Sequence, residues 1–369
     1  MTNQTIISRY AKLLVNYCLQ VKQNDKIYIS STYLAEPLLR ELIKETYLAG
    51  GIPYLNVEIE GQNDLAIQYG SAGQLSQPNP LRKYAMEHFD GYLNIRAPFD
   101  KSDGENEPAD LEKFKAVQQA NEEINQIYFE RTGSGAMRRC LCEYPTAAGA
   151  ERAQMSLSDY ERFIYDSCFL YDEDPAARWL EIRQAQQKYV DYLNRCDQVH
   201  FKGPQIDVKF SVKGRRWINS DGRTNMPSGE IYSAPIEDSV NGKVYFSYPT
   251  IYAGKEVRGI TLEIKDGEIV AWNAEEGKQV LDKVFTVEGA RRFGEVAVGC
   301  NYHIQRATRN ILFDEKIGGS IHMAVGQSYK QCGGLNRSVI HWDMITDMKN
   351  GGEIWADGAK IYENGAFII

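Results

Sequence analysis

Four short segments of the second half of the chain each present a histidine or a carboxylate beside small or polar residues. The two-residue period of a strand puts His341 and Asp343 on one face, with apolar residues on the other. The same period gives His322 and Glu295 faces shared with alanine and glycine, and Glu230 follows a Pro-Ser-Gly turn. Each position alone has an ordinary alternative: a solvent-facing carboxylate, a hydrogen-bonded core histidine or an exposed ion pair. Together, two imidazoles and three carboxylates are enough for two divalent ions.

This donor set indicates which metals and which chemistry to expect. Mixed nitrogen and oxygen ligands suit Zn²⁺ or Co²⁺, whereas Mg²⁺ and Ca²⁺ prefer oxygen ligands alone. Two such ions would lower the pKa of a bridging water toward neutrality and so supply hydroxide. The helical motif His-Glu-x-x-His is absent from the sequence, which excludes the single-metal mechanism built on it.

The strings around these residues resemble the successive motifs of the thermophilic metalloaminopeptidase family, in order and in approximate spacing. They are Asn225-Met226-Pro227-Ser228-Gly229-Glu230, Phe293-Gly294-Glu295-Val296-Ala297, Phe313-Asp314-Glu315 followed by His322 and Tyr329, and Asn336-x-Ser338-x-x-His341-x-Asp343. The segment from Met155 to Cys168 also resembles the linker region of that family. The resemblance therefore covers nearly the whole chain.

The resemblance implies a dinuclear metalloaminopeptidase that removes the N-terminal residue from peptides. The implied metal ligands are Glu230, Glu295, His322, His341 and Asp343. Metal-bound hydroxide would attack the first carbonyl, and Tyr329 would be the catalytic tyrosine that donates to the oxyanion. A carboxylate must carry a proton to the leaving amine, and both Glu295 and Glu315 are candidates. The resemblance also implies a homodimer and an N-terminal domain that restricts access to peptides with a free N-terminus.

Two segments depart from the family pattern, although neither includes an implied ligand. Lys316 and the pair Gly318-Gly319 stand where an Asn-Ala-Ala type of stretch is expected, and the connection from Tyr329 to Asn336 is short. Tyr329 also follows His322 by seven residues, an odd offset that gives opposite faces along a continuous strand. We therefore expect a bend at Gly326.

Two other functions fit parts of the pattern. A dinuclear hydrolase acting on a phosphoester would need cations to meet the phosphate, and Arg309 and Arg337 are near the metal strands in sequence. A non-catalytic peptide-binding protein would need no metal. Metal analysis and a panel of substrates separate these three classes.

The elements that must position the site divide the chain into two predicted domains, 1–195 and 196–369. In the first, helical and strand periods alternate, which favours an α/β domain with a mostly parallel sheet. Strands are predicted at 26–30, 53–59, 91–95 and 126–129, with helices at 38–47 and 114–124 among others. A capping box at Ser156 precedes one helix, and Asp174-Pro175 opens a long helix that reaches about 195.

The sequence pattern of the second domain predicts a mainly antiparallel, β-rich α+β domain that holds the metals. Strand alternation begins near Val208, and a helix is predicted at 278–285. Three pairs that favour two-residue hairpin turns lie between β-prone runs: Asp266-Gly267, Asp357-Gly358 and Asn364-Gly365.

Composition excludes several classes of partner. The chain has 369 residues, with 42 Lys and Arg against 50 Asp and Glu, a net charge of −8. Without a basic cluster, this charge disfavours nucleic acid and anionic membranes as partners. No signal peptide or apolar span is recognisable, and the seven cysteines are scattered. We therefore expect a cytoplasmic protein with reduced thiols.

Overall fold

The computed structural model describes residues 2–100 and 110–369, and its contacts divide the chain into two compact units. Unit 1 comprises Met1–Ala176 and Gly222–Met226, and unit 2 comprises Ala177–Asp221 and Pro227–Ile369. The fold class predicted from the sequence, a parallel α/β part and a mainly antiparallel part, is confirmed.

The strands and helices are numbered in chain order. The strands are β1 Lys26–Thr32, β2 Ile52–Glu58, β3 Gly91–Arg96, β4 Arg138–Glu143, β5 Gln198–Gly203, β6 Ile206–Ser211, β7 Ile218–Ser220, β8 Asn225–Met226, β9 Glu230–Ser233, β10 Asn241–Phe246, β11 Thr250–Tyr252, β12 Lys255–Val257, β13 Ile260–Lys265, β14 Glu268–Asn273, β15 Phe293–Gly299, β16 Ser320–Gly326, β17 His341–Asp347, β18 Glu353–Ala356, β19 Ala359–Glu363 and β20 Ala366–Phe367. The helices are α1 Asn3–Lys12, α2 Glu36–Leu48, α3 Gln62–Tyr69, α4 Ala72–Leu75, α5 Pro80–His88, α6 Leu111–Gly133, α7 Ala147–Arg152, α8 Leu157–Ser167, α9 Pro175–Leu193, α10 Lys278–Val284 and α11 Ile311–Asp314. A π-helical stretch, Leu13–Cys18, continues α1, and short 3₁₀ turns span Tyr33–Ala35 and Lys330–Cys332.

Unit 1 is built on a parallel five-stranded sheet in the order β2-β1-β3-β4-β8. The interior strand β1 buries Ile27, Tyr28 and Ile29 in succession, as expected for a strand with both faces covered. The fifth strand, β8, returns from the second half of the sequence and pairs with β4. Helix α8 begins after Ser156, whose side chain accepts a hydrogen bond from the Asp159 amide, as the capping box predicts.

One sequence-based prediction in unit 1 was wrong. The residues 126–129 lie in the middle of the long helix α6 and not in a strand. Ala116, Ala120 and Ile124 are buried every four positions, and Ile127 and Tyr128, about one turn further on, pack against the same apolar cluster as Ile124, so the helical stripe continues past the predicted boundary. A run of four apolar and aromatic residues is too short for its period to decide between strand and helix. The strand that follows in the sheet is β4.

Unit 2 contains three sheets. An eight-stranded sheet runs in the order β14-β13-β10-β6-β5-β18-β19-β20, a five-stranded sheet in the order β17-β16-β15-β9-β7, and β11 pairs with β12. Every strand pair in these sheets is antiparallel. The three Asp-Gly and Asn-Gly pairs each form a hairpin turn, with both residues at positive φ.

The observed division of the chain differs from the predicted boundary at 195/196. Helix α9 belongs to unit 2 from Ala177 onward. Its residues Val190 and Leu193 are buried in the same apolar core as Val199 and Phe201, so the helix is part of the unit whose core it completes. The short segment Gly222–Met226, in contrast, joins unit 1 through strand β8.

Candidate metal centre

The candidate ligands on strands lie on one face of the five-stranded sheet of unit 2. In its register, Glu295 of β15 lies opposite Ala324 of β16, which lies opposite Asp343 of β17. His322 lies opposite Ala297 in the neighbouring row. Directly opposed residues in an antiparallel pair point to the same face with Cβ atoms about 4.5–5.5 Å apart, so these side chains converge. The small alanines between them leave room for the imidazole and carboxylates.

The opposite face of the same strands anchors the sheet. It carries apolar side chains that belong to the main core of unit 2: Val296, Val298, Ile321, Met323, Val325, Trp342 and Met344. Burying an apolar side chain of this size stabilises the fold by about 1.5–3 kcal/mol. This alternation fixes the register, because a slip of one residue would exchange the core side chains for charged ones.

Two glycines shape the chain at the ends of these strands. Gly229, at φ +104°, turns the chain so that β9 begins at Glu230, and an added Cβ would lie 2.9 Å from Asn301 Cβ. Gly326, at φ +98°, ends β16 and provides the bend expected from the sequence. Tyr329 follows on a turn, and its ring lies 5.1 Å from that of His341, centroid to centroid. The odd sequence offset between His322 and Tyr329 is thereby resolved.

The ligand candidates form two groups of three. One group is Glu230, Glu315 and His322, and the other is Glu295, His341 and Asp343. Within each group, one ligand atom per residue lies within 4.8 Å of the others. Both groups are in unit 2. The described residues, 2–100 and 110–369, contain these two groups of possible metal ligands.

The distances within the site match metal coordination better than direct hydrogen bonding. Two ligand atoms each about 2.1 Å from a tetrahedral Zn²⁺ lie about 3.4 Å apart. His322 Nε2 lies 3.6 Å from Glu230 Oε2, and His341 Nε2 lies 3.7 Å from Asp343 Oδ1. Neither contact is short enough for a good hydrogen bond.

Several buried polar atoms at this site have no hydrogen-bond partner among the described residues. They are Glu230 Oε2, His322 Nδ1, His322 Nε2 and Asp343 Oδ1. Leaving such a group unsatisfied in the interior costs about 1–3 kcal/mol, and more for a charged one. A pair of divalent ions would satisfy Glu230 Oε2, His322 Nε2 and Asp343 Oδ1, so the residues present fit the metals that the donor types predict.

Glu295 lies between the two histidines, and each of its carboxylate oxygens lies near a different one. Its Oε1 is 3.7 Å from His322 Nε2, and its Oε2 is 3.2 Å from His341 Nε2. This arrangement suits a carboxylate that bridges two ions, one on each side. His341 is held in orientation from behind, because its Nδ1 lies 2.9 Å from the Gln327 carbonyl oxygen and its Nε2 then faces the site.

The electrostatics of the site follow from burial and from mutual proximity. Burial raises the pKa of Glu230 to about 8, although the nearby ammonium of Lys316 opposes the shift. Burial alone would also raise the pKa of Glu295, but its contacts with His322 and His341 hold it at about 2. Burial opposes the charged form of His322, yet Glu295 and Glu230 raise its pKa to about 9. The carboxylates thus favour cations at this position.

An aromatic pair lines one side of the site. The Tyr329 hydroxyl lies 3.3 Å from His341 Nε2, and its ring lies 5.4 Å from that of Tyr232, centroid to centroid. The Gln331 amide donates a hydrogen bond of 2.7 Å to the Tyr232 hydroxyl. Burial and the neighbouring carboxylates Glu295 and Asp343 raise the pKa of Tyr329 well above its usual value, so its hydroxyl stays protonated and can donate a hydrogen bond.

The loop before β16 adds two charged residues that the sequence pattern did not assign to the metals. Glu315, considered from the sequence only as a proton carrier, joins the group of Glu230 and His322. Lys316 is completely buried and forms ion pairs with both Glu315 and Glu230, at 3.8 Å for Glu230 Oε1. The five residues implied as ligands are all brought together, as is Tyr329. Tyr232 was missed, although its place two residues after Glu230 on β9 puts it on the same face.

A buried cluster of imidazoles and carboxylates such as this one suits a metal-dependent enzyme. Residues 3–367 match the family model of the thermophilic metalloproteases, described as "Thermophilic metalloprotease (M29)", and the chain belongs to this family. Aminopeptidase 2 of Geobacillus stearothermophilus is 28% identical over 384 residues, covering 92% of this chain and 91% of that protein. The resemblance seen in the motifs is confirmed, and with it the enzyme class, a metal-dependent aminopeptidase.

Two solved structures share the fold. AmpT of Thermus thermophilus superposes with a TM-score of 0.85 at 22% identity, covering 99% of each chain. The 2,5-dihydroxypyridine dioxygenase of Pseudomonas putida superposes with a TM-score of 0.59 at 11% identity, covering 100% of this chain and 98% of that one. At these identities the likeness concerns the fold alone, so the chemistry has to be argued from the residues of the site.

Two further observations bear on the expected surroundings of the protein. None of the helices in the described parts of the chain combines the length and apolar character needed to cross a membrane. No disulfide links the cysteines, all seven of which lie in the described residues.

Proposed function

We propose that this protein is a dinuclear metalloaminopeptidase that hydrolyses the first peptide bond of substrates with a free N-terminus. The observation that carries the proposal is the pair of ligand groups, formed by five residues on one sheet face and Glu315 from the neighbouring loop. Glu295 lies between the two groups, with one carboxylate oxygen near His322 and the other near His341. A single ion would not require donors on both sides of this carboxylate. The five ligands proposed from the sequence are retained, and Glu315 is added as a sixth.

One ion would be held by Glu230, Glu315 and His322, the other by His341 and Asp343, with Glu295 available to both. When bound, two ions of zinc or cobalt supply hydroxide at neutral pH and polarise the scissile carbonyl. The protein orients the donors. The Gln327 carbonyl fixes the ring of His341, and the apolar back face of the sheet fixes the strands.

Tyr329 is proposed to stabilise the charge that develops on the substrate carbonyl oxygen. Its hydroxyl stays protonated and lies beside His341, at the edge of the ligand cluster. A hydrogen bond that forms only as the oxyanion develops lowers the barrier without tightening substrate binding. Its neighbour Tyr232 packs against it and is itself held by Gln331, which keeps the phenol in place.

The proton for the leaving amine must come from a carboxylate, and Glu295 and Glu315 are the two candidates. Glu295 is buried between the histidines, whereas the side chain of Glu315 retains 17% of its exposure. The variants Glu295→Gln and Glu315→Gln separate the roles. The variant that keeps two ions per chain and loses kcat identifies the proton carrier, and the variant that loses an ion identifies a ligand.

A phosphoesterase is less well supported than an aminopeptidase. Arg309, one of the cations considered from the sequence, forms an ion pair with Glu256. Lys316 is occupied by Glu315 and Glu230. The test is a panel of aminoacyl-p-nitroanilides against p-nitrophenyl phosphate, with metal-loaded protein. Hydrolysis of the anilides, dependent on a free amine, supports the proposal, and hydrolysis of the phosphoester alone contradicts it.

The roles of unit 1, the homodimer and the cytoplasmic location belong to the same proposal. Unit 1 contributes none of the ligand groups found among the described residues, which is consistent with a role in limiting access. Comparing cleavage of short peptides with cleavage of a folded protein that carries the same N-terminal residue tests that role. Sedimentation equilibrium of the full chain tests the dimer, with a monomer at micromolar concentration as the contrary result.

A further inference from the structure

Lys316 distinguishes the two halves of the ligand cluster. Its ammonium is completely buried and lies against the carboxylates of Glu315 and Glu230, which belong to one group. In the described residues, no lysine or arginine forms an ion pair with Glu295 or Asp343, which belong to the other. A lysine is almost never fully buried unless it is paired, so this placement depends on the carboxylates around it.

The backbone of Lys316 is fixed independently of its charge. Its amide donates to the Phe313 carbonyl at 3.0 Å, and its carbonyl accepts from the Asn301 amide at 3.0 Å. Asp314, two residues before Lys316, accepts hydrogen bonds from the backbone amide and the hydroxyl of Thr308, and these bonds fix the same loop. The backbone thus fixes where the side chain begins, and complete burial together with the ion pairs to Glu315 and Glu230 fixes where the ammonium lies.

The consequence for metal binding is electrostatic. Glu295 is available to both ions, so the difference between the two positions lies in the remaining groups: Glu230, Glu315 and the ammonium of Lys316 on one side, and Asp343 on the other. A dication entering the first group must share its carboxylate oxygens with an ammonium and approach a like charge in a buried site, where charges interact more strongly than in water. Among the described residues, the ion pairs of Lys316 are with carboxylates of the first group, and its ammonium interacts with Asp343 of the second group only at longer range.

We infer that Lys316 makes the two metal positions unequal, so that the ion at Glu230, Glu315 and His322 binds more weakly and exchanges more readily than the ion at His341 and Asp343. This inference rests on the proposed dinuclear function. It makes Lys316 a positioning residue, because the side chain acts on the metal through the carboxylates. In the metal-free protein, the same ammonium neutralises acids that would otherwise repel each other.

Titration of the metal-free full chain with Zn²⁺, followed by calorimetry against a competing chelator, tests the inference. Wild-type protein should show two sites whose Kd values differ by at least about tenfold, given the like charge beside one of them. Lys316→Met, which keeps the bulk and removes the charge, should tighten the weaker site at least about tenfold and change the tighter one less than about threefold. Lys349→Met, on a partly exposed lysine of the same unit, should change neither.

A second pair of variants assigns the sites without depending on the folding of Lys316→Met. Asp343→Asn should abolish the tighter site, and His322→Gln should abolish the weaker one. Two equal sites in the wild type, a reversed assignment, or weaker binding in Lys316→Met overturns the inference and leaves the dinuclear function standing. A wild-type chain that binds fewer than two ions overturns the proposed function itself.

Discussion

Each unit of the protein buries a cluster of charged and polar side chains, but the two clusters are satisfied differently. In unit 1, the carboxylate of Glu143 accepts hydrogen bonds from the Tyr160 hydroxyl at 2.5 Å and from Arg152 at 3.1 Å. In unit 2, atoms of Glu230, His322 and Asp343 lack hydrogen bonds: His322 Nε2 lies 3.6 Å from Glu230 Oε2, and Asp343 Oδ1 lies 3.7 Å from His341 Nε2. The carboxylate of Glu143 is therefore satisfied without a ligand, whereas the carboxylates of Glu230 and Asp343 are not.

This difference separates a structural cluster from a functional one. A buried charge with direct partners stabilises the fold only if its pairing is preserved. Buried polar atoms without hydrogen-bond partners lower the stability of the fold, and binding of a metal ion would remove that penalty. Substitutions in the first cluster should therefore act on stability, and substitutions in the second should act on metal content and activity.

The largest expected effect is on activity, in His341→Ala. Removing this imidazole should lower kcat by at least about 1,000-fold, because the Lewis-acid contribution of a metal is several kcal/mol. Peptidase assays and elemental analysis of the bound metal measure the outcome. His200→Ala removes a histidine that pairs with Asp207 outside the site and should leave both unchanged. Full metal content with normal turnover in His341→Ala would remove this residue from the site.

The next largest effect is on stability, in Arg152→Met. This change removes a guanidinium that pairs with the completely buried carboxylate of Glu143 and should cost about 3–5 kcal/mol in the free energy of unfolding. Arg40→Met breaks an exposed pair with Glu36 and should cost at most about 1 kcal/mol. Denaturant unfolding measures both, and bound metal should not change in either. If Arg152→Met instead lost bound metal and kept its stability, the unit 1 cluster would be the functional one, which contradicts the comparison.

A smaller effect is expected for Tyr329→Phe. Removing one donor to the oxyanion should lower kcat by about ten- to a thousandfold while KM and both metals stay close to the wild type. Tyr245→Phe removes a surface hydroxyl that bonds to Glu275 and serves as the control. An unchanged kcat would exclude Tyr329 from the mechanism.

The smallest effect is the pH dependence of the metal-free protein. The folded-state pKa values of Glu230, His322 and His341 are raised to about 8, 9 and 10, by burial for Glu230 and by neighbouring carboxylates for the histidines. A raised pKa contributes stability below the unfolded value that is lost as the pH rises through the folded value. The melting temperature of metal-free protein should therefore fall between pH 6 and pH 9. Saturating Zn²⁺ should raise the melting temperature more at pH 9 than at pH 6, because ligation requires neutral imidazole. A melting temperature of the metal-free protein that rises from pH 6 to pH 9 would contradict the prediction.

The residues on regular strands were the ones that the sequence could place. His322, His341, Asp343 and Glu295 follow the two-residue period of β15, β16 and β17, so their common face followed once the strands were recognised. The hairpin turns were equally readable, because Asp-Gly and Asn-Gly pairs carry a backbone preference of their own.

The rest of the site could not be predicted from local patterns. Glu315 and Lys316 lie in a loop whose path depends on a hydrogen bond from the distant Asn301 amide. No periodicity indicates such a contact, so the lysine beside the candidate ligands stood out in the sequence only as a departure from the family motif. The strand predicted at 126–129 failed for a related reason, since the helical stripe of α6 extends over more residues than the local apolar run.

The most direct test of the dinuclear centre is anomalous diffraction from crystals of the full chain grown with Zn²⁺. Two peaks per chain are expected, one contacted by Glu230, Glu315 and His322 and one by His341 and Asp343, with Glu295 touching both. A single peak, or peaks that avoid these residues, would contradict the account.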